Sequence, residues 1–218
     1  MTEPAGLPRS LVQGYGRFRA GRYAADADRY RHLAEAGQRP RTLVIACSDS
    51  RSAPEAVFDA GPGELFVVRN VAALVPVFAL DAGAHGVSAA LEYAVLALGV
   101  EEVVILGHGR CGGIAAALDP AAPLTSTDFV GTWTAGLRDL AESIALPPSA
   151  GDDERRLALE RRSIEASIDH LRTFPWIRRR EADGVLRLHG AWFDIALGEL
   201  HEVGSTGWRP VPVAPPTD

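Results

Sequence analysis

Residues 42–51 read TLVIACSDSR: a short run that is apolar on both faces, then a cysteine, then a polar turn. A run without polar alternation is the pattern of a strand covered on both sides, as in the parallel sheet of an α/β domain. Two further runs match it, FVV at 66–68 and VVIL at 103–106. Between these two, residues 83–98 place Val87, Leu91, Val95 and Leu98 at helical intervals among many alanines, which predicts a largely buried crossover helix. The fold class expected is α/β, a mostly parallel central sheet of four to five strands flanked by helices.

Working outward, Leu11, Tyr15 and Phe18, then Tyr23, Tyr30 and Leu33, are spaced as two short helices interrupted by Gly14, Gly16 and Gly21, forming an N-terminal helical arm over 1–36. Beyond Cys111 come helices at 113–118, 131–146 and 153–173, the last opening on Asp152, Asp153 and Glu154, where acidic charge suits the positive helix terminus. Residues 185–195, VLRLHGAWFDI, read as a strand that Gly198 turns back through 199–203. Four prolines in 210–218 predict a loose tail, and the whole chain of 218 residues is expected as one domain.

Composition narrows the partners. With a formal net charge of -6 the chain has no basic surplus for phosphates or anionic lipid, so neither nucleic acid nor membrane is expected to bind it. No apolar stretch reads as a secretory signal or a membrane span, so a cytoplasmic protein is expected. Its two cysteines would then stay reduced and need a role other than a disulfide. The plain alternative is that both are small buried hydrophobes.

The chemistry gathers around them. Cys47 ends the first strand, His108 is expected one residue past the strand 103–107, and Cys111 lies three residues further. Parallel neighbouring strands deliver their carboxyl ends to one edge, where α/β folds bind ligands, so the three can meet. Two thiolates and an imidazole suit zinc, and a set of three leaves a fourth position open, the pattern of a catalytic site. His32, His85, His170, His189 and His201 show no ligand-like spacing. Asp49 and Arg51 follow the first cysteine in C-S-D-S-R, either as an ordinary surface ion pair or as a dyad that orients a metal-bound water, Arg51 keeping Asp49 ionised and off the metal.

Six stretches together resemble the β-class carbonic anhydrases: CSDSR at 47–51, GELFVVRNVA at 63–72, SAALEYAVLALGV at 88–100, GHGRCGG at 107–113, and the weaker SIDHLRTFPWI at 167–177 and LHGAWFDIALGEL at 188–200. The resemblance implies one zinc ion per chain on Cys47, His108 and Cys111, an Asp49–Arg51 dyad, and an obligate homodimer, with a tetramer built from it as the larger form, in which N-terminal helices pack on a partner chain that helps wall the site. It implies hydration of carbon dioxide to bicarbonate by a zinc-bound hydroxide. The substrate pocket it implies is Gln38, Phe66, Val71 and Tyr93; judged by themselves, the last three read as core and Gln38 as a loop residue. The backbone of Gly112, opening a helix beside the metal, is expected to meet the anionic product.

Two thiolates neutralise the zinc charge, so activity is expected to rise with pH from neutral to alkaline. Some relatives carry a proton-carrying His where this chain has Ala97, leaving His85 as a candidate by proximity in sequence. Relatives with a regulatory bicarbonate pocket use a Trp where Val44 stands, so an open metal site without that pocket is expected. Ala73 replaces an Asn of many relatives. Competing functions are hydrolysis of carbonyl sulfide or carbon disulfide, and non-catalytic bicarbonate binding.

Overall fold

The computed structural model describes residues 5–81, 83–119 and 126–213. The chain forms two compact units, Met1–Arg39 and Pro40–Asp218. The first holds three helices where two were expected: α1 (Arg9–Ala20), α2 (Arg22–Ala25) and α3 (Ala27–Ala36). Gly21, at φ -109° and ψ -94°, breaks the helical path between α1 and α2. Phe18 gathers the unit, its ring 5.9 Å from Tyr23 and 6.0 Å from Tyr30. Leu11 and Tyr15 on α1 remain 60% and 61% exposed, an apolar face without cover.

The second unit is built on a six-stranded sheet in the order β2-β1-β3-β4-β5-β6. Its strands are β1 (Thr42–Cys47), β2 (Leu65–Asn70), β3 (Glu102–His108), β4 (Arg187–Asp194), β5 (Glu199–Gly204) and β6 (Gly207–Pro210). The first four run parallel, and β5 and β6 return antiparallel. The sixth strand exceeds the expected four to five because Gly207, at φ 106°, allows a tight reversal that pairs Val203 with Trp208. Pro210 thus closes a strand instead of opening the expected loose tail, of which 214–218 lie outside the described residues.

Helices fill the connections: α4 (Pro54–Val57), α5 (Gly86–Glu92), α6 (Gly112–Leu118), α7 (Phe129–Trp133), α8 (Ala135–Glu142), α9 (Asp152–Leu171) and α10 (Pro175–Ala182). The crossover helix starts at Gly86, later than expected, and continues as a π-helical turn over Tyr93–Leu98 before Gly99 ends it at φ 72°. The helix expected at 131–146 is two, broken at Thr134.

Alternation along β1 splits its side chains between two layers. Leu43 and Ile45 join Leu91, Val95, Ile105 and Ile164 in the main core, while Val44 and Ala46 pack with Leu106 and Ala191 on the other face. Each such fully buried Leu or Ile contributes roughly 1.5–3 kcal/mol. Close approach of α9 depends on two glycines. A Cβ on Gly107 of β3 would lie 2.6 Å from Ile164, and one on Gly190 of β4 would lie 2.8 Å from it. Ile164 therefore sits in a hollow made by two missing side chains on neighbouring strands.

Candidate metal centre

Because β1 and β3 are adjacent and parallel, with Ala46 opposite Leu106, Cys47 and His108 leave the sheet at one edge. His108 lies inside β3, one position earlier in the structural scheme than expected, because pairing with Phe193 of β4 carries the strand that far. The chain then reverses through Gly109 and Arg110, the latter at φ 56°, and returns Cys111 to the start of α6. The donor atoms of Cys47, His108 and Cys111 lie within 4.8 Å of one another, and all three residues are buried.

Zinc fits these donors on three counts. The two sulfurs stand 3.9 Å apart as free thiols. Two sulfurs at ordinary zinc bond lengths and a tetrahedral angle are about 3.8 Å apart. His108 Nδ1 lies 2.9 Å from the Gly109 carbonyl, which can only accept, so Nδ1 carries the proton and Nε2 presents a lone pair. Among the described residues that buried Nε2 has no hydrogen-bond partner, an orphan that a cation would satisfy.

The thiols point the same way. The Cys47 thiol is lowered, chiefly because Cys111 donates its S–H to it. Cys111 is pushed up because it keeps that proton for Cys47 and is buried. A divalent cation between the sulfurs stabilises both as thiolates.

Asp49 is gripped by Arg51. Oδ1 accepts from the Arg51 backbone N–H and Nε, both at 2.9 Å, and Oδ2 accepts from Nη2 at 2.7 Å. This fork holds the Asp49 carboxyl well below the usual carboxylate range. Oδ2 is also 3.9 Å from His108 Nε2, beside the metal donors but not among them. Arg51 Nη2 additionally reaches the Arg110 carbonyl at 3.3 Å. Arg69, which sequence reading passed over, ties the loop down by donating to the carbonyls of Cys47 at 2.9 Å and Asp49 at 2.6 Å. Its signal was its place on β2, where Arg69 pairs Ala46 next to the ligand.

The remaining residues divide. Val71 packs against the cluster containing Cys47 and Cys111, and a Cβ on Gly113 would meet it at 2.7 Å. Gly112 is exposed, with open space where a Cβ would be. Phe66 and Tyr93 contact each other with ring centroids 5.9 Å apart, but Phe66, partly buried, packs against the main core and pairs Leu43, four residues before Cys47. It is thus about 13 Å along the sheet from the ligand end of its own chain. Gln38 is exposed in the N-terminal unit. His85 Nε2 lies 2.6 Å from Asp81 Oδ1, and His85 shares the lining of a cavity of about 360 Å³ with Val71 and Trp133. Val44 is buried in β1. Ala73 stands at φ 55°, a left-handed position that Asn tolerates better than Ala, which gives a physical meaning to the Asn of relatives.

Sequence reading also missed Glu160. This residue of α9 is 4% exposed and accepts the Cys111 backbone N–H at 3.1 Å and the Trp192 indole N–H at 3.0 Å. Its signal was a helical stripe, since Glu160 lies one turn before Ile164 on the buried face.

Residues 42–200 match the family model described as carbonic anhydrase. The chain is 36% identical over 206 residues to a carbonic anhydrase of Pseudomonas aeruginosa, covering 94% of this chain and 92% of that one. It is 37% identical over 185 residues to the chloroplastic β carbonic anhydrase 5 of Arabidopsis thaliana, covering 84% of this chain but spanning only 60% of that protein. A tetrameric β-carbonic anhydrase from the filamentous ascomycete Sordaria macrospora superposes with a TM-score of 0.75 at 30% identity, over 89% of this chain and 95% of that one. No helix among the described residues is long and apolar enough to cross a membrane.

Proposed function

The chain belongs to the β-class carbonic anhydrase family, and from that premise we propose that it catalyses the reversible hydration of carbon dioxide to bicarbonate and a proton, with one zinc ion held by Cys47, His108 and Cys111. The observation that carries this reading is the orphaned His108 Nε2 facing two thiols 3.9 Å apart. When bound there, zinc supplies an open Lewis-acidic position that makes a water molecule acidic enough to react near neutral pH.

The chain's own residues do the rest. Asp49 accepts the hydrogen of the attacking water, which turns its remaining lone pair toward carbon dioxide. Arg51 keeps that carboxylate ionised and directed away from the metal donors. Val71 supplies apolar wall, and the Gly112 N–H faces the anionic product. His85, backed by Asp81, carries the released proton toward buffer.

The protein works as a homodimer, with a tetramer as the larger assembly. Phe66 and Tyr93 then wall the partner's pocket, since in their own chain they sit far back along the sheet from Cys47. Support comes from the uncovered apolar face of α1 and from an apolar groove of about 570 Å³ between α7–α8 and α9, lined by Val75, Trp133 and Leu137, which suits a partner's N-terminal arm. We read the chain as one functional domain with that arm, in the cytoplasm, where the two thiols stay reduced.

Stopped-flow hydration of carbon dioxide, run on preparations of measured zinc content with and without a chelator, tests the function. A rate proportional to bound zinc supports it, and full activity in zinc-free protein overturns it.

A further inference from the structure

A buried carboxylate stands behind the metal centre with no cation bonded to it in the described contacts. Glu160 is held by neutral donors, the backbone N–H groups of Cys111 and Arg110 and the indole N–H of Trp192. The next residue, Arg161, turns away to stack over Trp192 at 5.1 Å and Trp208 at 5.3 Å. Burying an acid this way is costly, so its geometry asks for a reason beyond packing.

The reason lies in one peptide group. The carbonyl of Arg110 and the N–H of Cys111 belong to the same rigid plane. Arg51 Nη2 donates to that carbonyl at 3.3 Å, and Glu160 Oε1 accepts from that N–H at 3.1 Å. The plane follows Arg110 at φ 56°, a left-handed conformation that a non-glycine residue keeps only when its surroundings over-determine it. Tilting the plane would swing the Cα–Cβ bond of Cys111 and change the spacing of its sulfur from Cys47.

We propose that Glu160 is a positioning residue of the metal centre: by gripping the Cys111 N–H opposite Arg51, it fixes the peptide plane that aims the Cys111 sulfur. This rests on the zinc reading of the site. Supporting groups of this kind are worth about 10–100-fold in metal affinity.

The test is zinc affinity of the full-length protein, measured by competition with a chromophoric chelator, together with the thiolate-to-metal absorption of the cobalt-substituted form. Glu160→Met keeps the volume and removes the acceptor; Glu160→Gln keeps an acceptor. Glu160→Met is expected to bind zinc at least about 10-fold more weakly and to alter the cobalt spectrum. Glu160→Gln is expected to stay within about threefold of the parent. Parental zinc affinity and an unchanged spectrum in Glu160→Met overturn the proposal. Should Glu160→Met fail to fold, Glu160→Leu, which also lacks an acceptor, takes its place: a loss of about 10-fold supports the proposal and parental affinity overturns it. If the parent protein itself binds no stoichiometric zinc, it is the zinc reading that falls.

Discussion

Asp49 and His108 approach to 3.9 Å without a hydrogen bond, because the carboxylate is turned onto Arg51 and the imidazole nitrogen is left for the metal. Asp49→Ala should therefore lower kcat/KM by about 10²-fold or more while zinc content stays at parental level. Arg51→Lys keeps the charge but not the fork, so it should fall between the two. Zinc analysis beside the kinetics separates loss of orientation from loss of metal.

The same pair sets a pH signature. The folded-state pKa of Asp49 is depressed by Arg51, so its contribution to stability is complete above the unfolded value of about 3.9 and is lost as pH falls below that toward the folded value. Urea midpoints of the parent and Asp49→Asn should differ by a constant amount from pH 5 to 8 and converge in stronger acid. A gap that already narrows between pH 8 and 6 would mean that Asp49 is not held by Arg51 in solution.

Removing zinc should cost stability as well as activity, since the thiols and Nε2 lose the cation they share. At free zinc 1,000-fold above Kd the ion adds about 4 kcal/mol. Chelated protein should melt several degrees lower, and added zinc should restore both Tm and rate. Unchanged melting on complete zinc removal would contradict a buried three-donor site.

Gly107→Ala puts a methyl group 2.6 Å from Ile164. It should destabilise the fold by roughly 1–3 kcal/mol. Ile164→Val in the same chain should recover part of that loss by trimming the clashing methyl group. A double-mutant cycle in urea reads the coupling directly, and strict additivity of the two changes would exclude the contact.

His85→Ala should leave kcat/KM for hydration near the parental value and lower kcat in weak buffer, with added imidazole restoring it, because only proton release is slowed. If imidazole restores nothing, or if kcat/KM falls equally, His85 is not the carrier.

Much of this was legible in the chain itself. Unbroken apolar runs at β1 and β3 announced buried parallel strands, and parallel neighbours bring Cys47 and His108 to one edge. What escaped was set partly by contacts distant in sequence and partly by local backbone geometry. The length of β3 depends on pairing with Phe193, the extra strand on a turn at Gly207, and the split at Thr134 on local geometry that helical spacing does not encode. Glu160 and Arg69 act through backbone atoms of other segments, so spacing could put Glu160 on a buried helix face and Arg69 on a strand beside Cys47 but not show what they bond. The proposed pocket roles of Phe66 and Tyr93 rest on resemblance alone, since within one chain the two read as ordinary packing.

The hollow at Gly107 and Gly190 has a reach beyond the core. It decides how deeply α9 settles on the strands, and Glu160 rides on that helix one turn from Ile164. A relative in which larger side chains closed the hollow would still display every donor, the guanidinium and the acid in its text, yet its helix would stand off and its sulfur would be mis-aimed. Competence in such proteins is thus written partly in atoms that are absent, where a scan for ligand motifs does not look.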